Sequence, residues 1–301
     1  MGIRRRIGVD LGGTKIEAVV VEGSDDAPRV IARRRIPTER ERGYEQIAAR
    51  LVELVRELDG EAGGPAPCGV GMPGSLTADG RVKNSNTVCL NGTHFRQDVA
   101  ARLAGREVVY ANDANCFALA EARLGAGRGH PLVFGAIMGT GVGGGIVIDG
   151  RVREGPQSIC GEWGHSVLRP ESERLCYCGR HGCVETHLAG PWIEREHRRL
   201  GGDPLPLPRI IERRGEGDPL AGRCVRGWLE DYGRALANLI NVLDPDAVVL
   251  GGGVSRAECL YDEGREQVAR FAFTERLTTP ILRHELGDSA GVLGAALLVG
   301  A

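Results

Sequence analysis

The sequence predicts an α/β protein of two domains built on a duplicated strand, glycine turn and strand unit. Its 301 residues, 42% of them hydrophobic, are enough for one large or two ordinary cores. An apolar strand, a glycine turn and a second strand occur near the amino terminus and again from residue 132, a weak internal repeat. Around both units, stretches of helical periodicity alternate with short apolar runs, as in layered helices and sheets.

Strands are expected at 6–10 and 16–22, joined by the turn 11–15, with a third at 30–36 extending a meander. Ile47, Leu51, Leu54, Val55 and Leu58 recur at three- and four-residue steps and predict a helix over 44–58. The Gly/Pro-rich run 60–67 reads as a loop, followed by a strand at 68–72 that ends in Pro73-Gly74-Ser75. A short strand at 108–111 gives way to a helix at 113–124. The second unit has a strand at 132–138, a turn over 139–145 and a strand at 146–149, continued at 151–153. Next come a helix at 184–200, a Pro-rich loop at 203–208, a long helix at 219–243, a strand at 247–250 and the turn Gly251-Gly252-Gly253. A helix at 259–273, a strand at 281–284 and an apolar helix at 290–299 complete the chain. The Ala and Gly content of that last helix suits close contact with a sheet, so it is expected to pack on the first domain. The domains are therefore expected at 1–115, joined by the terminal helix 288–301, and at 116–287.

A net charge of -2 gives no broad electrostatic case for nucleic acid or an anionic membrane as partner. The Arg runs at 4–6 and 33–35 read as solvated strand ends. No apolar run approaches the roughly 18 residues of a membrane span. The first residues lack a signal peptide's apolar region, and a cytoplasmic protein is expected. Nine cysteines is an odd number, and Cys68, Cys89 and Cys116 sit in apolar or helical segments, which fits a reducing compartment.

Cys176, Cys178 and Cys183, spaced C-x-C-x4-C, with His165 eleven residues before the first, match a closed tetrahedral zinc site in ligand number and type. Gly179 and Gly182 let so short a loop turn back on the metal. His181 and His187 compete with His165 for the fourth place, and a loop of three reduced cysteines is the bland alternative. Three glycine turns after apolar strands, at 12–13, 139–141 and 251–253, point to phosphate binding through backbone N–H groups. A dinucleotide fingerprint should open a helix, yet a strand follows Gly13, and no G-x4-G-K-[ST] string is present. Asp113 stands where a strand gives way to a helix. Taken alone, it serves equally as a general base or as a helix N-cap.

The segment from Met138 through Gly145, Gly155, Gly161, Gly164 and His165 to Cys176, Cys178 and Cys183 resembles the signature of ROK-family sugar kinases. Gly8-Val9-Asp10-Leu11-Gly12-Gly13-Thr14-Lys15 is similar to that family's first phosphate loop, and Asn112-Asp113-Ala114-Asn115 to its catalytic segment; the likeness spans nearly the whole chain. The resemblance implies the two-domain actin-like (ribonuclease-H-like) ATPase fold with ATP and sugar in a central cleft, and a homodimer. It implies transfer of the ATP γ-phosphoryl group to the 6-hydroxyl of a sugar, with Asp113 as base and Asp10 orienting Mg2+ or its waters. Gly12, Gly13, Thr14, Lys15, Gly139, Thr140, Gly141 and Gly252 would line the nucleotide phosphates, although Lys15 also reads as a solvated strand residue. Asn86, Asn112, Glu162, His165 and Glu185 are the expected sugar contacts, because polyol recognition needs groups that accept and donate at fixed positions. Zinc would hold the sugar loop in shape, with His165 giving one ring nitrogen to the metal and the other to a sugar hydroxyl.

Residues 82–92 resemble the fructokinase and mannokinase branch, so fructose is the expected acceptor, with mannose or glucose behind and N-acetylglucosamine as the alternative. Two other classes compete. A ROK-type repressor carries several dozen residues ahead of the first phosphate loop, which here begins at Gly8. A sugar sensor without catalysis is opposed by Asp10, Asp113 and all three glycine turns.

Overall fold

A computed structural model of the chain describes residues 5–299. Residues 1–4 and 300–301, the ends of the expected first domain and of its terminal helix, lie outside the described residues.

The first sheet begins as an antiparallel meander of β1 (Arg5–Leu11), β2 (Lys15–Glu22) and β3 (Arg29–Pro37), with Val9 opposite Ala18 and Val20 opposite Ala32. Ile7, Val9 and the consecutive Val19, Val20 and Val21 are all fully buried, so the strands are covered on both faces there, although the buried charges of Arg6 and Glu17 interrupt the apolar pattern. Edge strand β3 carries Arg33, Arg34 and Arg35 exposed, a charged edge that discourages further pairing. Helix α1 (Tyr44–Ala62) packs its apolar stripe into this core and runs past the expected end at 58. Its stop is Gly63, in the left-handed conformation at φ 78°, so the expected loop shrinks to the residues beyond it.

Strand β4 (Cys68–Met72) pairs parallel with β1, and a small hairpin of β5 (Ser75–Leu76) and β6 (Val82–Lys83) follows. Helix α2 (Phe95–Arg102) was not legible, because Phe95 and Val99 alone form its buried face. Strand β7 (Val108–Asn112) pairs parallel with β4 and leads directly into α3 (Asp113–Leu124).

The second sheet starts with β8 (Leu132–Met138), β9 (Val142–Ile148) and β10 (Arg151–Val152). The expected turn 139–145 therefore closes by Gly141, and Gly143 to Gly145 lie within a strand. The expected helix 184–200 is two helices, α4 (Glu185–Leu188) and α5 (Gly190–Arg199), parted at the extended Ala189, so that Pro191 falls in the first turn of α5, where its missing N–H is tolerated, and not in a helix interior. Helix α6 (Leu207–Gly215) begins inside the expected Pro-rich loop, with Pro208 in its first turn, where proline is well tolerated. Helix α7 (Pro219–Leu243), capped by Asp218, and strand β11 (Ala247–Gly251) follow. Helix α8 (Glu263–Phe271) is shorter than expected, since two 3-10 turns occupy residues 253–260. Strand β12 (Ile281–Arg283) and helix α9 (Ala290–Leu297) end the fold.

The strand orders are β3-β2-β1-β4-β7 and β10-β9-β8-β11-β12, so the second sheet repeats the first, strand for strand. The repeat seen in the sequence is thus a repeat of topology, and the fold is the actin-like, ribonuclease-H-like α/β fold.

Contacts divide the chain into unit 1, Met1–Gly129 with Gly145–Cys160 and Glu285–Ala301, and unit 2, His130–Gly144 with Gly161–His284. The first break thus falls after residue 129 and not at 115, because α3 is packed hard within unit 1. A Cβ on Gly294 of α9 would stand 1.8 Å from the Cys116 carbonyl oxygen of α3, and one on Gly69 of β4 would stand 1.7 Å from that of Ala295. Helix α9 therefore lies against β4 and α3 at a separation that glycine alone permits. The return of Gly145–Cys160 to unit 1, which the expected domains lack, follows from Gly145, where a Cβ would stand 2.8 Å from the Ala114 carbonyl oxygen.

Candidate active site and metal cluster

In unit 1 the expected catalytic residues gather at the carboxyl ends of parallel strands. Asp10 is the penultimate residue of β1. Burial, then the neighbouring Asp113 and Glu17, push its carboxyl up from 3.8 to about 7, with Lys15 pulling the other way. Asn112, the last residue of β7, caps α3: its Oδ1 accepts from the Ala114 N–H at 2.9 Å, and its Nδ2 donates to the Gly74 carbonyl at 3.0 Å. The N-cap role weighed for Asp113 thus belongs to Asn112, and Asp113 is an exposed first residue of the helix. Asn86 is exposed on the loop 84–92, which Asn91 shapes by exchanging two 2.9 Å hydrogen bonds with the Ser85 backbone.

The first glycine turn is closed by the Gly12 N–H donating to the Lys15 carbonyl, and is latched by the Thr38 hydroxyl on the Gly12 carbonyl at 2.7 Å. Lys15 does not stand as a lone cation here. Its ammonium is 3.5 Å from Glu17, a buried carboxylate that Arg33 and Arg35 also reach.

In unit 2 the other two glycine turns lie together. A Cβ on Gly252 would stand 2.3 Å from the Met138 carbonyl oxygen, and the Gly190 N–H at the start of α5 donates to the Gly139 carbonyl at 2.9 Å. Beside Gly139 and Thr140 opens a cavity of about 870 Å3, walled by Pro191, Leu207, Ile211, Val254 and Cys259. Its size and mixed lining suit a nucleoside-sized ligand beside the second glycine turn. The wall formed by α6 was missed in the sequence, although Leu207, Ile210 and Ile211 hold helical spacing.

The loop after β10 brings His165, Cys176, Cys178 and Cys183 together, with their donor atoms all within 4.8 Å of one another. A zinc ion with sulfur at about 2.3 Å and nitrogen at about 2.0 Å has tetrahedral edges of about 3.8 Å between sulfurs and about 3.5 Å from sulfur to nitrogen. The Cys178 and Cys183 sulfurs are 3.6 Å apart, and the Cys176 sulfur is 3.5 Å from His165 Nδ1, so the donor set fits such an ion. His187 takes no part, because its Nδ1 meets Asp231 at 2.7 Å, and His181 is exposed outside the group. His165 Nε2 lies 2.9 Å from the Tyr177 hydroxyl, a residue the sequence gave no reason to single out, and 4.0 Å from Glu162. The nitrogen expected on a sugar hydroxyl thus already has a protein partner, of the kind that orients a metal-bound imidazole. Glu185 is buried and accepts from the Val142 N–H at 3.0 Å, which ties the cysteine loop to the start of β9.

The ROK family model matches residues 6–301. An N-acetyl-D-glucosamine kinase of Escherichia coli O157:H7 is 36% identical over 97% of this chain and 98% of its own length. The crystal structure of a ROK hexokinase from Thermus thermophilus superposes with a TM-score of 0.87 at 36% identity, covering 98% of this chain and 97% of that one. A ROK glucokinase from Streptomyces griseus, solved with glucose and AMPPNP, gives 0.76 at 31% identity, covering 98% of each chain. The chain belongs to the ROK family, and within it this protein is a sugar kinase.

Proposed function

We propose that this kinase transfers the γ-phosphoryl group of ATP to the 6-hydroxyl of N-acetyl-D-glucosamine. The observation that carries the acceptor is the end-to-end 36% identity with kinases named for that sugar. Fructose, expected from residues 82–92, gains no support from any of these relatives. The Thermus thermophilus ROK hexokinase, equally identical, favours a second reading in which an unmodified hexose is the preferred substrate.

In the proposed reaction Asp113 accepts the proton of the attacking hydroxyl as its oxygen bonds to phosphorus and ADP departs. Asp10 would hold Mg2+ or its waters, which neutralise phosphate charge. The turns at Gly12, Gly13 and Thr14, and at Gly139, Thr140, Gly141 and Gly252, would cradle phosphates, with the nucleoside in the cavity beside Thr140. Asn86, Glu162 and Glu185 would meet the sugar. Asn112 would act mainly through Gly74 and the start of α3. Zinc on His165, Cys176, Cys178 and Cys183 would be structural, since four protein ligands leave no open position.

The test is coupled ADP release over N-acetylglucosamine, N-acetylmannosamine, glucose, mannose and fructose. We expect the highest kcat/KM for N-acetylglucosamine. A higher value for any unmodified hexose would reject the acceptor and keep the kinase.

A further inference from the structure

The first glycine turn has two neighbours that no expected role includes. Arg40 opens a 3-10 turn after β3, and its Nη1 lies 3.4 Å from the point where a Cβ on Gly13 would stand. Among the described residues no carboxylate pairs with Arg40: nearby Glu39 is taken by Arg42 and Arg50, and Lys15 is paired with Glu17. The Thr87 hydroxyl oxygen lies 3.9 Å from the same point. The Thr87 side chain is fully buried, and its hydroxyl has no hydrogen-bond partner. A buried hydroxyl left unpaired is costly, so Thr87 calls for a partner.

The chain holds these groups in place. Thr38 latches the glycine turn two residues before Arg40, and Glu39 between them adopts the left-handed conformation at φ 52°, which turns the backbone sharply. The Cys89 thiol donates to the Arg40 carbonyl at 3.7 Å and joins Arg40 to the loop that carries Thr87. A planar cation, a hydroxyl and a glycine turn converging on one small space is the chemistry that recognises a phosphoryl group.

We propose that Arg40 and Thr87, with the backbone of Gly13 and Thr14, bind the γ-phosphoryl group of the nucleotide and the charge it gathers during transfer. This rests on the kinase reading but not on which sugar is the acceptor. As the bond from phosphorus to the β,γ-bridging oxygen breaks and the bond to the sugar oxygen forms, Arg40 donates to the equatorial oxygens and forms no covalent bond. The hydroxyl proton passes to Asp113, and ADP carries away the electron pair of the broken bond. Arg40 supplies the cation that Lys15, held by Glu17, does not.

The experiment is calorimetric titration of the magnesium complexes of AMPPNP and ADP, without sugar, into the wild type, Arg40→Ala, Arg40→Lys and Thr87→Val. We expect Arg40→Ala to weaken AMPPNP about tenfold and leave ADP within about twofold, since the lost contacts are charge-assisted but solvent-facing. Arg40→Lys should recover part of the loss, and Thr87→Val should weaken AMPPNP about threefold. With sugar present, kcat of Arg40→Ala should fall about 10- to 100-fold with KM for the sugar nearly unchanged. Equal losses for ADP and AMPPNP, no loss for either, or a loss confined to sugar affinity would each overturn the assignment. A wild type that bound neither nucleotide would overturn the kinase reading and this proposal with it.

Discussion

Replacing Asp10 by Asn should make the ligand-free protein more stable and the enzyme nearly inactive, and the size of the first effect follows from the carboxyl's surroundings. Burial, Asp113 and Glu17 push Asp10 from 3.8 to about 7. At about 1.4 kcal/mol per pH unit, a shift of about three units sets a ceiling of about 4 kcal/mol. Water reaches the partly buried group, so about 1–2 kcal/mol is the working figure. Folded protein keeps the Asp10 proton at pH values where unfolded chain has lost it. Stability therefore falls as pH rises from about 4 to about 7 and stays low above that. Asn carries no charge, so Asp10→Asn should match the wild type near pH 4, exceed it slightly at pH 5 and exceed its melting temperature by a few degrees at pH 8.

The assay is thermal unfolding at pH 5 and pH 8 in magnesium-free buffer, repeated with Mg2+ and ADP. With those ligands the order should reverse, because the wild type alone gains a carboxylate ligand for the ion. Activity should fall at least about 100-fold. A gain of the same size at both pH values would refute the titration account, and no gain at pH 8 would show that the wild-type carboxylate bears no electrostatic cost.

Asp113→Asn should keep its melting temperature and sugar affinity while kcat falls about 10²–10⁴-fold, as for loss of a general base; turnover within a few-fold of wild type would remove Asp113 from that role. Metal analysis of protein purified without chelator should find about one zinc per chain, and Cys178→Ser should lose it together with several degrees of thermal stability. Absence of zinc from the wild type would reject the cluster as a metal site.

Long, strongly patterned elements were legible because their own residues specify them. The α1 stripe, the buried runs of β1 and β2 and the breaks at glycine turns need no distant partner to be read. The break at Ala189 did leave a signal, since Gly190-Pro191 follows it directly and proline belongs in the first turn of a helix and not in its interior. Helix α2 has a two-residue buried face, and α6 starts between prolines that read as a loop, so both depend on what packs over them. The division of the chain was misjudged for a related reason. A sequence shows α3 as a helix but not that its Cys116 backbone touches Gly294, nearly 180 residues further on.

At the site, residues held by motif were legible and residues held by approach were not. Cysteine spacing located the cluster, and only geometry separated His165 from His181 and His187. Lys15, inside the motif, read either as a phosphate contact or as a solvated strand residue, and its ammonium lies 3.5 Å from Glu17. Nothing in the sequence singled out Arg40 or Thr87. Glu185 shows the same limit from the opposite side. It was read as a sugar contact from its place beside Cys183, yet one of its oxygens is fixed on the Val142 N–H, next to the second glycine turn. The metal loop and the start of β9 therefore share a buried carboxylate. Disturbing the cluster should loosen the turn at Gly139 to Gly141 as well as the proposed sugar contacts, so zinc removal is expected to weaken ADP binding and not sugar binding alone.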